Sequence, residues 1–355
     1  MTPVRRRRVL LVAPWFRTLA AGWADGLRAR GHEVAVVTSP LHFDPPAAGP
    51  DDLVLTEPWR SPAGGHELWA ALRAVRRFDP DVVITEVGRD PRFLAAALAP
   101  RVPVVLTTHD ARPHDAAHRP PPLRAAAAAV LRRRAAHEVA FSAFVAAELV
   151  AAGRSPGRVS VLPLASELPA SLAPREVVPA TDRRDVLVVG RLNAYKNLPF
   201  VLRAWRAHQR AADFRGDRLV VVGDGDPGCP IPPDVEWLGG RFAFADLVPR
   251  LARAKASLVL YSAGSQSGVQ VISQQCGTAT VASDVGGLAE EQPPELPAVP
   301  AGDLTAAVRT LGLLADADRA AGLGRAHRAW HERRRSPEVV AGAWEAVLQQ
   351  VLRDR

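Results

Sequence analysis

The stretch Asp185–Asn197, DVLVVGRLNAYKN, decides how the chain is read. Val186–Val189 is an unbroken apolar run, the signature of a strand buried on both faces. Gly190 ends the run, Arg191 and Lys196 follow five residues apart, and helical spacing begins at Leu198 in LPFVLRAWRAHQR. A strand therefore feeds a short loop holding two cations, and a helix opens just behind them. A guanidinium fork, a compact ammonium and a positive helix end that converge on one point make a phosphate site.

Composition sharpens this reading. The 355 residues include 45 Lys+Arg, of which only two are lysines, Lys196 and Lys255. A GC-rich genome pushes cations to arginine, so a lysine that persists is a candidate for a role needing a point charge. Lys196 fits that role. Lys255, in LARAKASLVLY, reads as a stray.

GRLNAYKN resembles the G-R-L-x-x-x-K-N signature of family 4 glycosyltransferases, retaining nucleotide-sugar enzymes of GT-B fold. The resemblance implies two Rossmann-like, doubly wound α/β domains facing across a cleft. It also implies that Gly190, Arg191 and Lys196 hold the donor diphosphate and assist its departure. RGHEVAVVT (Arg30–Thr38) is similar to the family's entry into its second strand. The family's Gly-Gly pair after strand one is missing, and only Gly22 stands in WFRTLAAGW, so Gly22 is the acceptor-side candidate there.

The rest of the chain fits an alternating α/β pattern. Strands are expected at Val9–Ala13, Glu33–Thr38, Leu53–Leu55, Asp79–Glu86, Val102–Thr107 and Val159–Leu162, with helices at Leu19–Arg30, His66–Phe78 and Ala143–Ala152. PPPLRAAAAAVLRRRAAHEV reads as a break and then a helix, before a short strand ending near Phe141–Ser142. In the second half, strands are expected at Leu219–Val222, Val235–Gly240, Ala256–Tyr261 and Thr280–Ser283. Helices are expected at Leu247–Ala254, Val269–Gln275, Leu304–Ala315 and Ala320–Leu352, the last broken at Pro337. The domains divide as 1–165, a proline-rich linker 166–182, 183–335, and a C-terminal helix 336–355 that in GT-B enzymes often returns to the first domain.

Ligands gather at the C-terminal ends of parallel strands. Glu86, His109 and Asp110 stand at such ends in the first half, and Gly223 and Gly225 do so in the second, in GDGDPG. By the resemblance, His109 faces the donor sugar, Asp110 beside it is an acceptor-side candidate, and Arg241 and Phe242 lie beside the nucleotide base. Glu86 has two equal readings from its position alone: an acceptor-side functional residue, or a polar strand-end residue facing water. SAGSQSGVQVISQQCG carries a small-residue loop before a helix, an anion nest in which Ser265, Gln266, Ser267, Gly268 and Val269 meet the donor. The family's two glutamates are absent: alignment on Cys276-Gly277 puts Gly264 and Ile272 at their positions. The linker run LPLASELP also departs from the family's Asn-Gly-Val-Asp.

The net charge of +8 admits nucleic acid, an anionic membrane surface or phosphorylated substrates as partners. No zinc spacing or aromatic RNA-binding strand accompanies the charge, which argues against nucleic acid. His114, Asp115 and His118 suit no standard zinc spacing. Two cysteines, Cys229 and Cys276, give no disulfide framework and fit a reducing compartment. No apolar run reaches bilayer length, and Arg5–Arg8 with VLLVAPWF reads as a first strand rather than a leader. The expectation is a cytoplasmic, metal-independent glycosyltransferase without a cofactor. Its partners are a nucleotide sugar and a small-molecule, lipid or glycan acceptor, and peripheral association with the inner membrane surface is admitted. A nucleotide-sugar epimerase or hydrolase and a non-catalytic sugar-nucleotide binder are the rival readings.

Overall fold

The computed structural model describes residues 5–40, 52–112 and 121–353. His114, Asp115 and His118, and the proline-rich loop after Thr38, fall outside them. Two compact units emerge: residues 5–40, 52–111, 121–165 and 335–353 form one, and 112 with 166–334 the other.

The first unit is built on β1 (Arg8–Ala13), β2 (Glu33–Thr38), β3 (Asp52–Val54), β4 (Val82–Thr85), β5 (Val104–Thr108), β6 (Ala135–Ala140) and β7 (Val159–Val161). They form one parallel sheet in the order β3-β2-β1-β4-β5-β6-β7. Helices α1 (Arg17–Ala29), α2 (Pro62–Phe78), α3 (Pro91–Leu98), α4 (Pro122–Arg134) and α5 (Ala143–Ala151) connect them. Strand order reverses between β1 and β4, the switch point at which doubly wound sheets bind ligands.

The second unit is a five-stranded parallel sheet, β10-β9-β8-β11-β12. Its strands are β8 (Arg184–Val189), β9 (Leu219–Val222), β10 (Glu236–Leu238), β11 (Ala254–Val259) and β12 (Ala279–Ala282). Its helices are α6 (Leu198–His208), α7 (Phe244–Arg253), α8 (Gly268–Gln275), α9 (Leu304–Ala315) and α10 (Ala317–Arg335). The apolar run of β8 has the expected cause. Val186 and Val188 pack on one face with Trp205 of α6 and Leu311 of α9. Leu187 and Val189 pack on the other with Leu247 of α7 and Ile272 of α8. Side chains alternate across a strand, so burial of both faces demands apolar residues at every position.

α10 ends before Pro337, and α11 (Pro337–Arg353) belongs to the first unit. It packs along α1: Trp344 meets Trp23 at 5.0 Å between ring centroids, and Glu345 pairs with Arg30. Gly26 admits this approach, because a Cβ there would lie 2.9 Å from Ala341 Cβ.

Two sequence readings are corrected. The alanine-rich helix stops at Arg134, and AAHEVA continues directly as β6. Burial between β5 and β7 overrides alanine's helical propensity, with Glu138 accepting from Thr108 at 2.6 Å and pairing with Arg154 at 3.3 Å. α3 was not anticipated. It is a short helix opened by Asp90, whose carboxylate accepts from the Arg92 amide, with Pro91 at its first position.

Candidate donor-binding site

β8 and β11 are adjacent but far apart in sequence, so their C-terminal ends mark the switch point of the second sheet. Lys196 lies there, in a single 3₁₀ turn (Ala194–Lys196) just before α6. The side chain is buried, which is unusual for lysine. Its Nζ donates to Val189 O and to Tyr261 Oη, both at 3.0 Å, and sits 4.9 Å from the Tyr261 ring centroid. An ammonium has three donors, and these partners use two.

Gly190 makes the arrangement possible. Its φ is +100°, and a Cβ there would lie 2.7 Å from Lys196 Nζ and 3.4 Å from Val269 Cγ2. The glycine, the ammonium and the first turn of α8 therefore converge. Ser267 caps that turn by accepting from the Gln270 amide at 3.3 Å, and Ser265 is buried just before it. Gln266, Gly268 and Val269 are half-buried around the same turn. Arg191 is exposed on the loop, next to the buried Leu192.

Gly223 and Gly225 act on the loop rather than on open space. A Cβ at Gly223 would meet Gly190 O at 2.4 Å, and one at Gly225 would meet Leu192 O at 2.7 Å. The loop after β9 thus lies flat on the loop after β8, tied by the Leu192 amide to Asp224 O at 2.7 Å. Arg241 is exposed and Phe242 packs partly into the core beside Leu247.

The two positions of the missing glutamates lie in apolar packing. A Cβ at Gly264 would stand 3.4 Å from the Leu288 side chain, and Ile272 is buried against Val189, Phe244 and Leu168. One carboxylate that the sequence reading did not select stands near the α8 start. A Cβ at Gly268 would lie 3.8 Å from Glu167 Oε1. Tyr261 was also missed, because its contact with Lys196 spans 65 residues of sequence. So was Trp237, half-exposed on β10, whose indole donates to Gly223 O at 3.0 Å.

In the first unit, His109 follows β5 and sits between two rings, Phe16 at 3.9 Å and Phe141 at 4.5 Å. Asp110 beside it is exposed. Glu86 does not face water as one of its two sequence readings had it. It is buried, and its Oε1 accepts from the Trp15 and Phe16 amides at 2.7 and 2.8 Å, closing the turn before α1. Gly22 is not at a strand end: it lies on the exposed side of α1, with nothing within 4 Å of its Cβ position. Among the described residues no group of three or more His, Cys, Asp or Glu is placed to hold a metal ion. No helix among them is long and apolar enough to cross a membrane.

Two doubly wound parallel α/β units are the architecture of GT-B glycosyltransferases, and comparison agrees. Residues 17–165 match the glycosyl transferase 4-like domain and residues 183–316 match glycosyl transferases group 1. The chain belongs to the family 4 glycosyltransferases. Solved structures share the fold. Sucrose-phosphate synthase from Thermosynechococcus elongatus superposes with a TM-score of 0.71 at 18% identity, covering 99% of this chain and 100% of that one. HepE of Anabaena, solved in complex with UDP-glucose, gives 0.68 at 15%, covering 97% and 100%. The lipopolysaccharide outer core galactosyltransferase WaaB gives 0.62 at 13%, covering 98% and 100%. No curated protein matches the sequence.

Proposed function

We propose that this glycosyltransferase takes its sugar from a nucleoside-diphosphate donor whose diphosphate sits between Gly190, Lys196 and the start of α8. The observation that carries the reading is the buried Lys196 ammonium, fixed by Val189 O and Tyr261 Oη and packed under a glycine with no side chain to shield it. Its third donor is free to take a phosphate oxygen. Arg191 adds a bidentate fork from the same loop, and the α8 amides add the positive helix end. These groups meet the charge that develops on the leaving diphosphate, so its departure is assisted by fixed protein charge.

Donor transfer with retention of anomeric configuration and without a divalent ion completes the reading. The acceptor is a lipid carrier, a growing surface glycan or a natural product, and the reaction takes place in the cytoplasm or at the inner membrane surface. The loss of carboxylates at Gly264 and Ile272 points to a donor whose hydroxyls are held by neutral groups such as Ser265, Gln266 and Ser267. Trp237, beside Gly223, offers an apolar face to the nucleoside.

The test is calorimetric titration of UDP, GDP, ADP and dTDP into the wild-type chain and Lys196→Ala. One nucleotide should bind, and Lys196→Ala should weaken it by about ten- to a hundredfold, the value of one charge-assisted hydrogen bond. Equal affinity in the two proteins would remove Lys196 from the site. With the nucleotide known, transfer from its sugar conjugate should persist in excess EDTA. Activity lost to chelation and restored by magnesium would refute metal independence.

A further inference from the structure

α2 sorts its residues onto two faces. Ala71 and Val75 enter the core of the first unit. On the opposite side His66, Trp69, Ala70, Arg73, Arg76 and Arg77 follow the i, i+3, i+4, i+7, i+10, i+11 spacing of one helical face, and all of them are exposed. Trp69 is 60% exposed, more than any other large apolar side chain among the described residues. An indole left in water forgoes one of the largest apolar areas a side chain can bury.

We infer that this face of α2 is a membrane-docking surface whose partner is a bilayer containing anionic phospholipid. The inference gives a surface to the membrane side of the proposed function. It uses no residue of the donor site, so it can fail while nucleotide binding stands.

The charge of the face has one sign. Glu67 is the one acidic residue of the helix, and its carboxylate is engaged elsewhere. It accepts from the Thr56 amide and hydroxyl at 3.0 and 2.9 Å and pairs with Arg92 of α3 at 2.8 Å. Asp79, just past the helix, pairs with Arg8 at 2.7 Å. Arg73, Arg76 and Arg77 pair with no carboxylate among the described residues. The helix dipole accounts for Arg76 and Arg77, which stand in the last turn. It does not account for Arg73, one turn further in, or for Trp69. The Arg73 guanidinium lies 4.3 Å from the Trp69 ring centroid, so stacking holds the indole and a cation side by side.

That pairing suits a membrane interface. Tryptophan concentrates at headgroup level, where its ring meets the acyl boundary and its N–H stays hydrated. The arginines meet lipid phosphates, and each strengthens attraction to an anionic surface by about fivefold. The face is the outside of a helix, a convex surface that a deformable bilayer receives without a preformed groove. From Trp69 to Arg77 it runs about 12 Å along the axis. One indole and three guanidinium groups give reversible attachment rather than insertion. The Glu67–Arg92 pair ties α2 to α3, so the face docks without the helix leaving its unit.

The full chain is sedimented with phosphatidylcholine vesicles, with and without phosphatidylglycerol. Tryptophan fluorescence is read with brominated phosphatidylcholine in the same vesicles. The variants are Trp69→Gln and the pair Arg73→Gln with Arg77→Gln, since glutamine keeps the helix propensity. The control is Arg206→Gln with Arg210→Gln, which removes the same charge from exposed positions in and just after α6. Circular dichroism reports that each variant is folded. Wild type should bind only the vesicles with phosphatidylglycerol, and less so as salt rises. The arginine pair should lower binding at least about tenfold and the control should not. Quenching by the brominated lipid should fall in Trp69→Gln. No binding to anionic vesicles, equal loss in the arginine pair and the control, or unchanged quenching in Trp69→Gln overturns the proposal. Retention on heparin that depends on Arg73 and Arg77, with no vesicle binding, would assign the face to a soluble polyanion and overturn it as well.

Discussion

The two lysines look alike in sequence and differ in what surrounds them. Lys196 faces a carbonyl and a phenol, neither of them an anion, so its charge is left for a ligand. Lys255 was read as a stray, yet it is buried in β11, paired with Asp217 at 2.7 Å and donating to Ala315 O at 2.6 Å. Lys255→Ala should strand a buried carboxylate and cost roughly 3–5 kcal/mol of stability while leaving nucleotide affinity unchanged. Urea unfolding and calorimetry on the same sample would check both halves, and a nucleotide affinity that fell with stability would tie Lys255 to the site. Gly190 carries the complementary prediction. Gly190→Ala puts a Cβ 2.7 Å from Nζ at a φ of +100°, so it should weaken nucleotide binding at least tenfold while costing only about 1–2 kcal/mol of stability. Nucleotide binding unaffected by the added methyl would mean that the ammonium does not sit against the ligand. Arg183 shows the opposite use of a cation. It donates to Ala254 O and Gly277 O, both at 2.7 Å, and burial lowers its pKa to about 10. Its role is to tie backbone segments together.

Among the elements, what was legible follows from physics that acts locally. The buried strands β1, β4, β8 and β9 read directly, because two-sided burial writes an apolar run into the chain. The break at Pro337 was legible because proline cannot continue a helix. α2 begins four residues earlier than its periodicity suggested: Ser61 caps it and Pro62 opens it, while Gly64 and Gly65 disguise the first turn. The end of β6 was legible but its start was placed inside the preceding helix, because the strand character of AAHEVA comes from β5 and β7, which no local window contains. Glu86 was ambiguous for the same reason, since its partners lie 70 and 71 residues away. Its carboxylate satisfies the amides of the β1–α1 turn, and that turn sets Phe16 against His109. Glu86→Ala should leave two amides without an acceptor and cost about 2–4 kcal/mol, with Glu86→Gln losing less because one neutral oxygen remains. Denaturant midpoints for the three proteins would show it. Equal stability of Glu86→Ala and wild type would mean that water replaces the carboxylate at no cost.

At the scale of the whole molecule, each unit buries polar groups that the chemistry does not use, and these make stability depend on pH. His327 and His331 lie one turn apart on α10, and burial lowers both pKa values to about 4. His327 also donates Nδ1–H to Leu323 O at 2.8 Å, a bond that favours the charged ring and that burial outweighs. The ordinary histidine value is near 6.5. Above it both rings are neutral, folded or unfolded, and contribute no pH dependence. Below it the unfolded chain binds two protons that the folded chain refuses until the pH nears 4, so acid favours unfolding. Each ring contributes a slope of about 1.4 kcal/mol per pH unit across that window, up to roughly 3 kcal/mol per unit for the pair. Urea unfolding between pH 7.5 and 5.5 should therefore show stability falling as pH drops, before most carboxylates titrate. The pKa values of His32, His137 and His208 are also lowered by burial and add to the slope, so His331→Gln should remove only its own share, about 1.4 kcal/mol per pH unit, because an amide of similar size carries no titrating proton. An unchanged slope in this variant would show that His331 is protonated in the folded chain and that the acid sensitivity arises elsewhere.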